Sequence, residues 1–363
     1  MAVTVETSVG RGLELSVSEV TGALGDSVTV LPVVVAVGTL TRASLPHLLL
    51  GFAVFQVVWG VRYGLPVSVE PMKALAGLAI AGALTYGEVA AAGLLAGGVL
   101  LVGGRLGLLG ALSDRVGEPV VRGVQFAVAL LLLRSGVDLA AGAPAVALGG
   151  VAVAVVAAAV DRRLVALAVL GAGVVAAAVA GGLPSAAVPS LALFPTGLPS
   201  PTRGALSGSV GQLAMTVGNA AVATSLLLTD LFDAEVTPDD LAESMGVMNL
   251  LAIPTGAFPM CHGSGGLAGK YAFGARTGGA NVVLGVLYAG AALVAGFWTA
   301  FPAAVLGVLL AVVALQLGRT ALSAGERWLV LGVGVLGLLA GVGVAFVVGA
   351  GVHALAGRYR ARA

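Results

Sequence analysis

Charged residues, aromatic residues and cysteine are all scarce in this sequence. Only 10% of the 363 residues are Asp, Glu, Lys or Arg and 5% are aromatic, whereas 59% are hydrophobic. The mean hydropathy is +1.08. These proportions exclude a soluble domain of this length and predict a polytopic membrane protein. The single cysteine, Cys261, excludes an internal disulfide and is either a small apolar filler or part of a site.

Histidine is scarce as well, and this bears on metal binding and catalysis. The three histidines are His47, His262 and His353, and their spacing does not match a zinc site. We therefore expect no metal and no cofactor. A hydrolase could combine Ser264, His262 and Asp26, but no nucleophile motif surrounds these residues. The sequence therefore predicts that the protein is not an enzyme.

Apolar segments, separated by charges or by Pro and Gly, fill most of the chain. We count fourteen, and the third, ninth and tenth are shorter than the roughly 20 residues that a full span needs. The fold class expected is an all-α polytopic membrane protein. The segments are residues 20–40, 46–62, 71–86, 88–104, 118–135, 142–160, 164–182, 207–229, 243–256, 264–276, 280–297, 302–318, 326–338 and 339–356.

The two halves of the chain repeat each other at a nearly constant offset. Gly25 to Thr29 resembles Gly211 to Thr216, and Pro71-Met72 recurs as Pro259-Met260. A duplicated unit of seven segments has to run upside down in its second copy, which predicts a 7+7 inverted repeat. The expected boundaries are 1–182 for the first repeat, 183–206 for the connector and 207–363 for the second repeat.

Basic residues are distributed unevenly between the two sides of this bundle. If both termini share one side, that side holds 14 of the 18 Lys and Arg residues, with Lys270 in one of its loops, and the other side holds three. Lys73 would lie within the membrane. The positive-inside rule then predicts cytoplasmic N- and C-termini. We expect a multi-pass protein of the cell membrane, in contact with the lipid bilayer and with no nucleic-acid partner.

Two interrupted helices, in segments 3 and 10, are expected to form a site at the membrane midplane. Pro71 starts the first, so that the N–H groups of Met72, Lys73 and Ala74 point at a ligand, and such a helix end attracts anions. Glycines 263 to 266 let the second begin close by. The residues expected to face the substrate are Asp26, Thr29, Glu70, Pro71, Met72, Lys73, Gln212, Thr216, Cys261, His262, Gly263, Ser264 and Gly265.

Each of these assignments has a simpler alternative. Asp26 would otherwise cap a helix, Lys73 would extend to the membrane interface, and the glycines would be packing spacers. His262 would otherwise be a hydrogen-bonded structural residue. An acidic cluster at 230–243 is interpreted as a solvated loop, with a regulatory cation site as the alternative.

Five blocks of the sequence resemble those of the molybdate transporter family, a branch of the sulfate permease superfamily, and occur in its order. They are residues 25–32, 70–73, 119–125, 212–219 and 259–276, and the last, with its Cys-His-Gly motif, is the most specific. The resemblance adds Asn219 to the substrate-binding candidates. Two positions depart from the family pattern, because Glu70 stands where Gln is usual and Gly211 where Pro is usual.

The resemblance implies a uracil-permease-like fold in which a core domain (segments 1–4 and 8–11) moves against a gate domain (segments 5–7 and 12–14). It also implies a homodimer, without the cytoplasmic regulatory domain of sulfate permeases. The function predicted is secondary active import of a tetrahedral oxyanion, molybdate above all, with Glu70 as the proton-coupling candidate. The alternatives are transport of sulfate or tungstate, symport of a nucleobase or carboxylate on the same fold, and a channel.

Overall fold

Helices account for most of the chain. The structure, a computed structural model, describes residues 4–6, 12–109, 117–181, 186–190, 192–323 and 325–360, without the side chains of 4–6, 28, 29 and 358–360. The helices of the first half are α1 (Val17–Leu40), α2 (Leu45–Tyr63), α3 (Lys73–Ile80), α4 (Tyr86–Arg105), α5 (Glu118–Ala141), α6 (Pro144–Val160) and α7 (Val165–Gly181).

The second half begins with a long, locally widened helix. In that helix α8 (Arg203–Met215) continues through a π-helix (Thr216–Val222) into α9 (Ala223–Phe232). The helices that follow are α10 (Pro238–Ala252), α11 (Ser264–Ala272), α12 (Gly279–Leu293), α13 (Ala303–Leu322), α14 (Arg327–Ala340) and α15 (Val342–Arg360).

Local sequence explains where several helices begin and end. Ser16 caps α1 by accepting a hydrogen bond from the Glu19 N–H. Thr85 and Thr237 each form a capping box with an acidic residue three positions later, at the starts of α4 and α10. Gly64 ends α2 in the left-handed conformation, with φ of 64°, which glycine adopts without strain.

Four short strands correct the all-α expectation. β1 (Thr4–Glu6) pairs antiparallel with β2 (Gly12–Glu14), and β3 (Val69–Pro71) pairs antiparallel with β4 (Met260–His262). β3 and β4 are buried and directly precede the short helices α3 and α11. Backbone that leaves a helix inside a membrane protein must find hydrogen bonds within the protein, and this pairing supplies them.

Every one of the fourteen predicted segments overlaps a helix, but not every helix could span a bilayer alone. Among the described residues, six helical stretches are long and apolar enough to cross a membrane, and α1 is a seventh if its two parts, bent by 45°, form one span. The inverted repeat, the broken spans and the repeat boundaries stay predictions.

Small residues bring the largest helix pairs into close contact. α5 packs against α13, α2 against α12 and α4 against α10. Where α5 and α13 cross, a Cβ on Gly136 would lie 2.7 Å from the Gly307 carbonyl oxygen. Such an approach is typical of membrane helices, which associate without a hydrophobic driving force. The division into core and gate domains stays a prediction.

Several members of the acidic cluster have local structural partners. Asp240 completes the capping box of α10, and the Asp239 carboxylate accepts a hydrogen bond from the Leu109 N–H at 2.9 Å. Glu243 accepts one from the Arg105 Nε at 3.0 Å. These contacts stabilise a helix end and its neighbouring turn. The interpretation of the cluster as one solvated loop is wrong in part, because Asp230 lies in α9 and Asp239, Asp240 and Glu243 lie in α10.

Candidate functional site

The pairing of β3 with β4 brings the two most distinctive sequence motifs together. Glu70 lies opposite Cys261, and Val69 lies opposite His262. Because each strand runs directly into a short helix, the N-terminal ends of α3 and α11 both lie beside this two-stranded sheet. The structure therefore places Pro71, Met72 and Lys73 next to the segment from Cys261 to Gly265.

Glu70 connects the two short helices. Its carboxylate is fully buried and forms an ion pair with the Lys73 ammonium, one turn further along the chain. Its other oxygen accepts a hydrogen bond from the Gly266 N–H at 2.7 Å, in the first turn of α11. A Cβ on Gly263 or Gly266 would collide with the Glu70 carboxylate. Glycine at these two positions thus permits the carboxylate to approach the helix end.

The N-terminal end of α3 is capped by a side chain from the second half of the chain. The Gln212 Oε1 accepts a hydrogen bond from the Ala74 N–H at 2.9 Å, and the Gln212 Nε2 donates one to Thr216 at 3.0 Å. The Met72 N–H donates to the Pro259 carbonyl at 2.8 Å. The expectation that the Met72 and Ala74 N–H groups face a ligand is therefore wrong for this conformation, because protein acceptors already use both.

Asn219 lies at the edge of a cavity and contacts Ser264. The Ser264 hydroxyl, at the first position of α11, donates a hydrogen bond to the Asn219 side chain at 2.7 Å. Asn219 lies in the π-helix, a widened turn often found at functional sites. It lines a cavity of about 500 Å³ together with Glu118 and Arg122 of α5. Gly265 has open space where a Cβ would project.

A larger cavity is unsuited to an anion. It has a volume of about 580 Å³, and its lining residues, such as Val99, Leu213 and Phe346, are apolar. An oxyanion needs hydrogen-bond donors or a positive charge, so the cavity beside Asn219 and Arg122 is the better candidate for a path to the site.

His262 and Cys261 have protein partners, and neither residue lines the cavity beside Asn219. The His262 ring contacts the Ser244 hydroxyl at 2.7 Å through Nε2 and the Ser68 carbonyl at 3.0 Å through Nδ1. Because both nitrogens are used, the structural interpretation of His262 fits these contacts better than direct ligand binding. The Cys261 thiol is buried, 4.0 Å from the Pro71 carbonyl oxygen. The side chain of Thr29 lies outside the described residues.

Asp26 forms a second ion pair, with a residue that the sequence analysis placed wrongly. Lys270 was expected in a loop, but it is fully buried, and its Nζ lies 3.1 Å from the Asp26 carboxylate. Asp26 also accepts a hydrogen bond from Ser68 at 2.6 Å. The sequence did contain a signal that Lys270 belongs to the site, because Lys270 and Lys73 are the two lysines of a chain whose other basic residues are arginines and histidines.

The two ion pairs meet at Gly266. A Cβ at this position would contact the Asp26 carboxylate, the Glu70 carboxylate and the Ser68 hydroxyl at once. Two carboxylates and two ammonium groups therefore surround the beginning of α11. Ionisable groups this deep in a membrane protein are costly to bury and are a mark of function.

Comparisons with known proteins agree on the kind of protein this is. A sequence model of the family described as "Molybdate transporter of MFS superfamily" matches residues 18–132 and 204–317. Molybdate transporter 1 of Arabidopsis thaliana is 34% identical over 84% of this chain and 79% of its own length. Molybdate transporter 2 of the same plant is 31% identical over 83% of this chain and 78% of its own.

Solved structures agree on the fold. The transmembrane domain of the cyanobacterial bicarbonate transporter BicA has a TM-score of 0.67 and 16% identity, and the match covers 91% of this chain and 97% of that one. The anion transporter family member SLC26A9 has a TM-score of 0.69 and 14% identity over 95% of this chain and 65% of that one. At such identities the likeness establishes a mostly helical membrane transporter fold.

Proposed function

Since the chain belongs to the molybdate transporter family, we propose that it is a secondary active transporter that imports molybdate by alternating access, coupled to protons through Glu70. The predicted family is confirmed by the family match and by these relatives, which are named as transporters and not as enzymes. The anion-transporter names of the structural neighbours support anion transport more broadly.

One observation carries the mechanism. The Glu70 carboxylate holds both the Lys73 ammonium and the Gly266 N–H. A tetrahedral oxyanion would seek the same two groups, because they are a positive charge and a donor at the N-terminal end of a helix. Glu70 therefore occupies the place of a substrate oxygen, and the site is closed by its own side chain.

Protonation of Glu70 opens the site. A neutral carboxyl group attracts the Lys73 ammonium far less than a carboxylate does, and it no longer repels a dianion. Lys73 and the N-terminal turn of α11 then become available to molybdate. Release of the proton on the other side restores the ion pair and expels the substrate. Each oxyanion is thereby imported with at least one proton.

The packing supports a fold built from two inverted copies. In a 7+7 repeat, the second segment corresponds to the ninth and the fourth corresponds to the eleventh. The second and eleventh segments, α2 and α12, pack extensively against each other, and so do their counterparts, α10 and α4. The helix that begins beside β3 and the helix that begins beside β4 would be the corresponding broken spans. Rocking of the core against the gate would alternate the access of this site.

The orientation and assembly are proposed on sequence grounds. When Lys270 is no longer counted as a loop residue, most basic residues still lie on the side of both termini. We therefore propose that the termini are cytoplasmic and that the protein lies in the cell membrane. A homodimer is proposed from the family resemblance.

Uptake by proteoliposomes tests the function. We expect saturable uptake of labelled molybdate, stimulated by an acidic exterior, with competition by tungstate and sulfate and none by uracil. Uracil competition without molybdate uptake would favour a nucleobase symporter on this fold. Calorimetric titration of the purified protein with molybdate measures binding apart from transport.

A further inference from the structure

The ammonium group of Lys270 lies among oxygen atoms from three helices. Its Nζ is 2.7 Å from the Asn281 Oδ1 of α12, 3.1 Å from the Gln56 Oε1 of α2 and 3.1 Å from the Asp26 Oδ2 of α1. All four side chains are fully buried. An ammonium group has three N–H bonds and no acceptor, so these three oxygens satisfy it completely.

The two amide oxygens are fixed by contacts that do not involve Lys270. The Gln56 Nε2 donates to the Val69 carbonyl at 3.0 Å, and the Asn281 Nδ2 donates to the Val67 carbonyl at 2.5 Å. Both carbonyls belong to the segment that leads into α3. Because each amide nitrogen is held by the backbone, each amide oxygen is turned toward Lys270 whether or not a cation is there.

The Asp26 carboxylate is fixed in the same way. The Ser68 hydroxyl donates to its Oδ1 at 2.6 Å, and the Gln56 Nε2 lies 3.2 Å from its Oδ2. One carboxylate and two amide oxygens are the ligand types that hard cations take in proteins. The three oxygens form an oxygen cage, defined by Asp26, Gln56 and Asn281, and each of these residues is also held by a contact that does not involve the lysine.

We propose that the oxygen cage is a monovalent-cation site and that the Lys270 ammonium is its covalently attached occupant. The transporter thus carries its own cation beside the substrate site and needs no dissolved alkali cation for uptake. Lys270 belongs to α11, whose first turn binds Glu70, so the attached cation also fixes the position of that helix. The part that concerns uptake rests on the proposed function, whereas the part that concerns cation binding does not.

Chemical rescue tests the proposal. Lys270→Ala removes the propylammonium portion of the side chain and thus the positive charge beside the buried Asp26 carboxylate, so in choline medium we expect the melting temperature to fall by roughly 10 °C. Uptake should fall at least about tenfold, because a misplaced α11 also misplaces the Gly266 N–H. Adding n-propylammonium or Na⁺ should restore the melting temperature and the uptake with saturation. Wild-type protein should behave alike in Na⁺, K⁺ and choline media.

Lys270→Met is the matched control, because methionine fills much of the same space without a charge. We expect it to be as impaired as Lys270→Ala and to respond to no cation. If Lys270→Ala does not fold, the double variant Asp26→Asn, Lys270→Ala removes both charges and should fold without responding to cations.

Three results would overturn the proposal. They are a Lys270→Met variant with wild-type uptake, a folded Lys270→Ala variant that responds to neither cation, and a cation response in the double variant equal to that of the single one. The melting temperatures are measured without molybdate. A cation response in Lys270→Ala without molybdate binding by the wild type would therefore refute only the proposed function.

Discussion

Two lysine–carboxylate ion pairs lie on either side of Gly266, and they differ in what surrounds them. The Lys73 side chain is 14% exposed and reaches back one turn to Glu70 in its own segment. The Lys270 side chain is fully buried and joins three other helices through three oxygens. A pair near an accessible surface can exchange its partner for a ligand, whereas a fully satisfied buried pair resists change. On the proposed mechanism, a lysine–carboxylate pair thus serves substrate exchange in one place and fixed geometry in the other.

Gly266→Ala should give the largest effect, because it disturbs both pairs together. A methyl group there would collide with Asp26, Glu70 and Ser68. We expect a loss of stability of about 3 kcal/mol from overpacking and no measurable uptake. Thermal unfolding in detergent and uptake assays measure these effects.

Gly265→Ala is the matched control for this variant, because the added Cβ would meet nothing within 4 Å. It should keep the wild-type melting temperature. Equal destabilisation of both variants would contradict the geometry.

Lys73→Ala removes the ion pair between Lys73 and Glu70 and leaves the pair between Lys270 and Asp26 intact. We expect the dissociation constant for molybdate to rise roughly 100-fold, since a charged donor to the oxyanion is lost. The melting temperature should change little in comparison with Lys270→Ala. Lys73→Arg should restore binding only in part, because a planar fork is not a compact point charge. Wild-type affinity in Lys73→Ala, by calorimetry, would show that Lys73 does not bind the substrate.

Glu70→Gln sharpens the comparison by removing a charge while keeping its shape. The amide oxygen still accepts from the Gly266 N–H, and Lys73 is left free for the anion. We expect binding to persist and to lose its dependence on pH, since the competing carboxylate no longer forms as the pH rises. Uptake that still increases with an imposed proton gradient as steeply as in the wild type would assign coupling to another group.

Arg122→Gln should have a smaller effect, because it should change how readily the substrate reaches the site and not how the site binds it. Arg122 lines the cavity that Asn219 also borders, and it pairs with Glu118 at 3.2 Å. We expect KM to rise about threefold to tenfold with Vmax nearly unchanged, because a partly exposed charge mainly affects encounter. Arg134→Gln, at an exposed position on the same helix, is the control and should leave KM unchanged. A proportional fall of Vmax in Arg122→Gln would place this residue in the transport step.

The sequence predicted the motifs of this site better than their contacts. Hydrophobic segmentation located every helix of the described residues, and the Pro-Met repeat located the two segments that pair as β3 and β4. The capping of α3 by Gln212 could not be predicted, because it joins residues 138 apart through a side-chain amide. Lys270 was misplaced because a charge near the end of an apolar segment usually marks a loop. Its three oxygen partners come from segments that look apolar one at a time, so only the assembled bundle shows that the charge is satisfied.

The pairing of β3 with β4 also has a consequence for biosynthesis. Glu70 and Gly266 are separated by 196 residues, so at ordinary rates of translation the ribosome needs on the order of 10 to 40 s to supply the second partner. During that interval the first half of the chain resides in the membrane, and neither the Gly266 N–H nor the Lys270 ammonium is yet present beside Glu70 and Asp26. The nascent first half is therefore the stage most exposed to membrane quality control. Chains interrupted in the connector should be degraded, and co-expression of the missing half should protect them.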